Sequence, residues 1–163
     1  MPQSARKYKL VALGGTFDVL HAGHRRLLSE AFKLGDMVLI GVTSDRLVLT
    51  LHKKHRVRPF SSRVRDLERF LRTRRWSSRV RVTALREPYG PAARRKKLQA
   101  LIVSKGTLAS GHRLNQLRRQ NGLQPLDLFV VDLLKAADGK PISTTRVRNG
   151  EIDIRGRVLR ARR

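Results

Sequence analysis

Short apolar runs and helical patterns alternate along the chain. The runs at 9–13, 37–42, 80–85, 98–104 and 126–133 predict five strands, since each is brief and rich in aliphatic residues. Apolar positions recur at helical spacing over 24–34, after Pro59, over 107–121 and briefly from Ser143. This alternation predicts an α/β fold, a Rossmann-like open parallel five-stranded sheet with helices on both faces.

The length predicts a single domain that spans residues 1–163. The connection at 43–58 is polar and basic, so we expect only local structure there. From about Arg155 to Arg163 the chain is a basic tail, which we expect to be loosely held.

The charge favours anionic partners. The chain has 37 Lys and Arg against 12 Asp and Glu, a formal net charge of +25, which attracts nucleotides, nucleic acid or acidic membrane surfaces. It has no cysteine, which excludes disulfides and a thiol nucleophile. No apolar run approaches the roughly 20 residues of a membrane span, and the N-terminus lacks a signal-peptide pattern. We therefore expect a cytoplasmic protein without a membrane partner; the oligomeric state is not predicted by any pattern.

A candidate phosphate site joins the first strand to the first helix. Residues 14–24 read Gly-Gly-Thr-Phe-Asp-Val-Leu-His-Ala-Gly-His. In open parallel sheets ligands bind beyond the carboxyl ends of strands, where helix N-termini favour phosphate. The paired glycines allow close approach, Thr16 offers a hydroxyl, and His21 and His24 would share one helix face. An ordinary tight turn and a two-histidine metal site remain alternatives, although no third ligand is apparent.

A second candidate segment follows the fifth strand. Residues 142–148 read Ile-Ser-Thr-Thr-Arg-Val-Arg. Hydroxyl residues at a helix start cap free N–H groups, so capping alone is one interpretation, but Arg148 favours anion binding. The G-x-G-x-x-G and P-loop patterns are absent, which disfavours a dinucleotide dehydrogenase and a P-loop ATPase.

Together the two segments resemble the nucleotidyltransferase superfamily of adenylyl- and cytidylyltransferases. The motifs that carry the resemblance are Gly-Thr-Phe-Asp with His-x-Gly-His, and Ile-Ser-Thr-Thr-x-x-Arg near the C-terminus. From about Tyr8 to Leu159 the chain is similar to the archaeal branch of phosphopantetheine adenylyltransferase. That similarity is carried by Lys53-Lys54-His55, 57–60, Arg63, 87–91, Val103-Ser104, Gly111, Asn115, Arg118 and 137–143. Thr144 replaces the usual second Ser, and Lys105-Gly106 replaces a usual acidic pair.

The resemblance implies that ATP and 4′-phosphopantetheine react directly to give dephospho-coenzyme A and pyrophosphate. The implied catalytic residues are His24, Lys53 and Arg148. The implied ATP- and phosphate-binding residues are Gly15, Thr16, Phe17, His21, His24, Ser143, Thr144, Thr145 and Arg118. The implied acceptor-binding residues are Thr16, Lys53 and Lys54. Mg²⁺ would arrive with ATP, and no protein metal site is expected.

Two alternatives remain open at the level of sequence. A sibling enzyme would transfer a nucleotidyl group to nicotinamide mononucleotide, flavin mononucleotide or a polyol phosphate. A non-catalytic nucleic-acid-binding protein would use the excess charge, as would non-specific nucleic-acid contact by an enzyme, although the usual nucleic-acid-binding motifs are missing.

Overall fold

Five parallel strands form one sheet in the order β3-β2-β1-β4-β5 in the computed structural model, which describes residues 5–53 and 55–160. The strands are β1 (Tyr8–Gly15), β2 (Gly35–Thr43), β3 (Val80–Leu85), β4 (Ala100–Ser104) and β5 (Asp127–Val131). The helices are α1 (Ala22–Leu34), α2 (Asp45–Leu49), α3 (Phe60–Thr73), α4 (Leu108–Gln120) and α5 (Thr144–Arg148). The sequence-based prediction of five parallel strands is confirmed.

The central strand β1 is where the strand order reverses. It pairs with β2 from Tyr8 to Gly15, and with β4 at Val11 and Ala12. The chain builds β2 and β3 on one side of β1, then returns to build β4 and β5 on the other. Ligands bind beside the carboxyl ends of strands at such a switch point, and the first candidate segment follows β1 there.

Helices cover both faces of the sheet. Val11 and Leu13 of β1 belong to a core that also contains Leu28 of α1 and Leu67 of α3. The intervening Ala12 faces a second core formed with α4. Because successive strand residues point to opposite faces, this alternation confirms the predicted three-layer arrangement.

Arg118 is an internal brace rather than a surface cation. Its side chain lies in α4 with 0% exposure. Its guanidinium donates to the carbonyl oxygens of Ala92 at 2.6 Å, Gln124 at 2.9 Å and Arg95 at 3.2 Å. With its donors turned inward, Arg118 fixes two loops on one face of the sheet. This corrects the prediction that Arg118 contacts ATP phosphates.

The C-terminal residues fold back onto the molecule. Ile152 and Val158 form an antiparallel bridge, Ile152 is buried, and Gly156 packs on Ile142. The amide of Ala22, at the start of α1, donates to the Ile154 carbonyl at 2.8 Å. The prediction of a loosely held tail from Arg155 is therefore wrong for residues 155–159. Residues 161–163 lie outside the described part of the chain.

Candidate active site

The turn after β1 is shaped by close packing. A side chain at Gly15 would meet the Phe17 ring at 3.1 Å, so glycine leaves room for that ring. Phe17 is buried and adopts a φ of 51°, a region that few non-glycine residues occupy. The turn therefore holds a costly conformation beside the carboxyl end of β1, as residues at ligand sites often do.

His21 begins α1. Its Nδ1 accepts hydrogen bonds from the amides of Gly23 at 3.1 Å and His24 at 3.4 Å, which caps the helix. Its ring also stacks on the His24 ring, with centroids 3.9 Å apart. Burial lowers the pKa of His21 to about 4. The structure thus gives His21 a capping role in addition to the phosphate contact predicted for it.

His24 has a buried atom that lacks a partner. Within residues 5–53 and 55–160, its Nδ1 is the one buried side-chain nitrogen or oxygen with no hydrogen bond. Burial, reinforced by His21, lowers the pKa of His24 to about 3, so the ring is neutral near pH 7. A buried polar atom left open requires an explanation, and a bound ligand supplies one.

Asp18 is the point where the two segments meet. Its carboxylate is 1% exposed and accepts from the amide of Arg58 at 3.0 Å and from Arg148 at 3.0 Å. His55 Nε2 lies 3.4 Å from the same carboxylate. Burial raises the pKa of Asp18, but the hydrogen bonds from Arg58 and Arg148 outweigh burial and hold that pKa below its usual range.

The second segment reaches the first through these contacts. Ser143 caps α5 by accepting from the amide of Arg146 at 3.3 Å. Thr145 Oγ1 lies 3.4 Å from His55 Nδ1, and Arg148 is held by Asp18. Arg146 turns outward to Asp138 and Glu151. The structure therefore brings Arg148 against Asp18 of the first segment, 130 residues away, and Thr145 against His55.

The loop after α2 carries the predicted lysine. Lys53 is exposed, and its positive charge helps to lower the pKa of His24. The contact of Lys53 with substrate phosphates stays a prediction. Lys54, the neighbouring candidate, lies outside the described residues.

Arg63 and His55 contribute to the site without having been predicted as functional. Arg63 is buried in α3 and donates to the carbonyl oxygens of Thr16 and Arg58, each at 2.8 Å. Both residues occur in stretches that carry the family resemblance, and this was the one sequence signal that could have found them. Their partners are up to 90 residues away, so no local pattern indicates their roles.

A cavity of about 510 Å³ opens next to Thr16. Strand ends supply Gly14, Gly15, Thr43 and Leu85, while Leu51 and Leu114 close it from the helical side. Of the described residues that line it, Arg113 alone is charged and Tyr89 alone is aromatic. The volume is in the range of small-molecule sites. A ligand with a phosphate at Thr16 has room for the rest of its length in this mainly aliphatic pocket.

Neither a metal-binding cluster nor a membrane-spanning helix is found among the described residues. No group of three His, Asp or Glu residues there is arranged to hold a metal ion. None of the described helices combines the length and apolar character needed to cross a membrane.

The two motif-bearing segments meet at the switch point of an open parallel sheet, and the cytidylyltransferase-like family model, which matches residues 12–150, makes the chain a nucleotidyltransferase. The chain is 43% identical to phosphopantetheine adenylyltransferase of Methanothermobacter thermautotrophicus, over 95% of this chain and 92% of the relative. It is 42% identical to the Methanopyrus kandleri protein of the same name, over 90% and 92%. The chain therefore belongs to the phosphopantetheine adenylyltransferase family.

A solved structure supports the same grouping at the level of fold. A protein of unknown function from Archaeoglobus fulgidus matches with a TM-score of 0.67 and 34% sequence identity. The match covers 75% of this chain and 88% of that chain.

Proposed function

We propose that this protein transfers the adenylyl group of ATP to 4′-phosphopantetheine, which gives dephospho-coenzyme A and pyrophosphate. The observation that carries the proposal is the cavity that opens at Thr16, directly beside the split phosphate site. The names of the relatives point to the same acceptor.

The cavity favours pantetheine over the acceptors of sibling enzymes. The pantetheine arm is long, uncharged and aliphatic, with amide groups that need a few polar partners. The lining supplies aliphatic side chains such as Leu85 and Leu114, and hydroxyls such as Thr43, Thr83 and Ser110. A nicotinamide or flavin ring is flat and would favour aromatic stacking surfaces, of which the described lining offers one, Tyr89.

The reaction needs no protein nucleophile. An oxygen of the acceptor phosphate attacks the α-phosphorus of ATP and forms a new O–P bond. The bond from the α-phosphorus to the bridging oxygen breaks, and pyrophosphate leaves with both bonding electrons. Catalysis then consists of positioning and charge stabilisation, as in other phosphoryl transfers.

His24 would supply a hydrogen bond to the α-phosphate. Its pKa of about 3 keeps the ring neutral, so it donates one N–H without adding charge. The ring is partly exposed although its Nδ1 is buried, so the edge that would donate to a phosphate is the one away from Nδ1. His21 would hold the His24 ring by stacking and direct its remaining edge toward the phosphates.

The other cations and hydroxyls of the site would bind the acceptor phosphate and the β- and γ-phosphates of ATP. Lys53, with Thr16 and the backbone at Gly15 and Phe17, would hold the acceptor phosphate near the α-phosphate. The hydroxyls of 143–145 would meet the β- and γ-phosphates. Arg148 would clamp the leaving pyrophosphate, and Asp18 would fix the direction of its guanidinium.

Mg²⁺ enters this scheme as part of the substrate, Mg·ATP. The carboxylate nearest the site, Asp18, already accepts from Arg58 and Arg148. Oxygen atoms of the ATP phosphates would therefore coordinate Mg²⁺, which prefers oxygen ligands.

The proposal is tested by the products formed by the purified protein. We expect dephospho-coenzyme A, identified by mass, and an equal amount of pyrophosphate from Mg·ATP and 4′-phosphopantetheine. Nicotinamide mononucleotide, flavin mononucleotide and glycerol phosphate serve as matched acceptors and should give little pyrophosphate. Turnover confined to one of those three would overturn the choice of acceptor. The cytoplasmic location stays a prediction, which fractionation of source cells would test.

The excess positive charge supports a second, weaker activity, which is non-specific contact with nucleic acid. Arg65, Arg69 and Arg72 are exposed along one side of α3, at positions that follow the helical repeat. Binding of a duplex of random sequence should weaken steeply with salt. Binding that is absent at low ionic strength would contradict this activity.

A further inference from the structure

His55 lies between the two phosphate-binding segments. Its Nε2 is 3.4 Å from Asp18 Oδ2 in the first segment, and its Nδ1 is 3.4 Å from Thr145 Oγ1 in the second. The side chain is 12% exposed. A single ring therefore contacts both halves of the site from a loop that belongs to neither.

The chemistry of the two partners fixes how the ring is used. The Asp18 carboxylate is negative and lies 3.4 Å from Nε2, in an electrostatic contact rather than a hydrogen bond, and it favours the tautomer that carries the proton on Nε2. In the neutral ring Nδ1 then accepts, and the Thr145 hydroxyl donates to it. His55 thus fixes the rotation of the Thr145 hydroxyl and supports the carboxylate that holds Arg148.

The second segment needs such support because it has little of its own. No residue of α5 is buried, and the helix has five residues. Two polar routes connect it to Asp18 in the first segment. One is the direct pair between Arg148 and Asp18, and the other runs from Thr145 through His55 to Asp18. Loss of the His55 ring would remove the second route and leave the Arg148–Asp18 pair.

We propose that His55 is a positioning residue that aligns Thr145 and Arg148 for the β- and γ-phosphates of Mg·ATP, without touching the substrate. This inference rests on the proposed function in that ATP is the ligand, but not on the identity of the acceptor. The groups that face His55 are Asp18 and Thr145, with Arg58 and Arg148 behind Asp18 and Lys53 two residues earlier.

The first experiment separates positioning from general disruption. His55→Phe keeps a ring but removes the hydrogen bond to Thr145 and the electrostatic contact with Asp18, and we expect it to raise the KM for Mg·ATP roughly fivefold to tenfold. The KM for the acceptor should stay within about twofold, since neither partner of His55 lines the cavity. His112→Phe, at an exposed position of α4, is the matched control and should leave both constants unchanged.

Two polar variants resolve the contacts. His55→Asn places a polar atom near the position of Nδ1 and should retain the Thr145 contact, whereas His55→Gln places one near Nε2 and should retain Asp18. Each should bind Mg·ATP better than His55→Phe and worse than the wild type. Equal rises in the KM values for Mg·ATP and the acceptor, or no rise in either, would overturn the positioning role. If His55→Phe fails to fold, the same criterion applies to His55→Asn and His55→Gln.

A double-mutant cycle tests the link to Thr145 directly. Thr145→Val and His55→Phe should together weaken Mg·ATP binding at least threefold less than the product of their separate effects, because they remove one shared contact. Multiplicative effects would overturn the link.

The cycle also separates the two proposals. A wild type that binds Mg·ATP without turnover would refute the proposed function, while dissociation constants for Mg·ATP would still decide the role of His55. A wild type that does not bind Mg·ATP would refute both.

Discussion

The two segments that we propose bind phosphate are built in different ways. The first, after β1, is set into the main core: Phe17, Asp18 and His21 are all at least nine-tenths buried. The second, which contains α5, rests on a small cluster made of Ala136, Ile142 and Ile152. One half of the site is therefore shaped by the core of the sheet, and the other by a satellite cluster and long-range polar contacts.

This difference assigns different duties to the halves. In the proposed function the first segment holds groups that should stay fixed during reaction, such as the His24 ring between His21 and Phe17. The second holds hydroxyls and Arg148, which we propose admit Mg·ATP and release pyrophosphate. Preorganisation is most valuable at the reacting phosphorus, and there the core supplies it.

The largest effect should follow removal of the donor in the rigid half. We predict that His24→Ala lowers kcat by about 10²-fold or more, as loss of one preorganised donor does, with the fold retained. Steady-state rates and far-UV circular dichroism would check this, with His112→Ala as control. Near-normal turnover would refute the assignment of His24.

The next effect concerns the satellite cluster under α5. Ile152→Ala should lower the free energy of unfolding by about 2 kcal/mol or more and raise the KM for Mg·ATP severalfold, while the KM for the acceptor changes little. The matched control is Ile40→Ala in the main core, which is equally buried. It should destabilise the protein without a selective effect on ATP. Denaturant unfolding and separate KM values for Mg·ATP and the acceptor would measure these effects. If Ile152→Ala and Ile40→Ala changed the two KM values alike, the proposed contrast between the halves would be refuted.

A substitution at Arg118 should affect the stability of the protein but not its turnover. Arg118→Met leaves three carbonyl oxygens without their donor and should lower the free energy of unfolding by about 1–3 kcal/mol. Turnover of the folded enzyme should stay within about twofold. Arg119→Met, exposed and one residue further along α4, should have almost no effect. A selective rise in the KM for Mg·ATP in the Arg118 variant would restore it as a phosphate ligand.

The last effect is a pH dependence of stability, which is small over a single pH unit. His21 and His24 have pKa values of about 4 and 3 in the folded protein, whereas the unfolded chain binds their protons near pH 6.5. Between these values the unfolded state holds more protons, so stability falls as pH decreases from 6.5 toward 4. The slope is about 1 kcal/mol per pH unit for each histidine.

Denaturant unfolding at pH 6 and pH 5 would measure that slope. His24→Phe should flatten it by about half of the histidine contribution, whereas the contribution of Asp18 is lost only at lower pH, since the pKa of that carboxyl is below its usual range. An unchanged slope in His24→Phe would show that His24 is charged in the folded state.

Local pattern was enough to predict the sheet. The run at 98–104 became β4 (Ala100–Ser104), and the run at 126–133 became β5 (Asp127–Val131), because short aliphatic runs between helices have few other places to go. The helix α2 was missed as a helix, since five residues capped by Ser44 are too few to show a period. The folded C-terminal residues were also missed, because Gly156 packing on Ile142 is a tertiary contact.

The sequence displays the motifs of the candidate site, but it does not indicate the long-range contacts that join them. His24, Thr16 and the hydroxyls of 143–145 lie in motifs that the sequence displays. The Asp18–Arg148 pair spans 130 residues and the His55–Thr145 contact spans 90, so neither leaves a local signal. Burial of Arg118 was equally invisible, since a cation in a helix is normally exposed.

A crystal structure with dephospho-coenzyme A bound would decide whether the two segments and the cavity form one active site. We predict that the pantetheine arm lies in the cavity beside Leu85 and Leu114, with the adenylyl phosphate within hydrogen-bond distance of His24. Pyrophosphate, added together with product, should lie between Ser143–Thr145 and Arg148. A pantetheine arm outside this cavity, or phosphates that contact only one of the two segments, would refute the proposed active site.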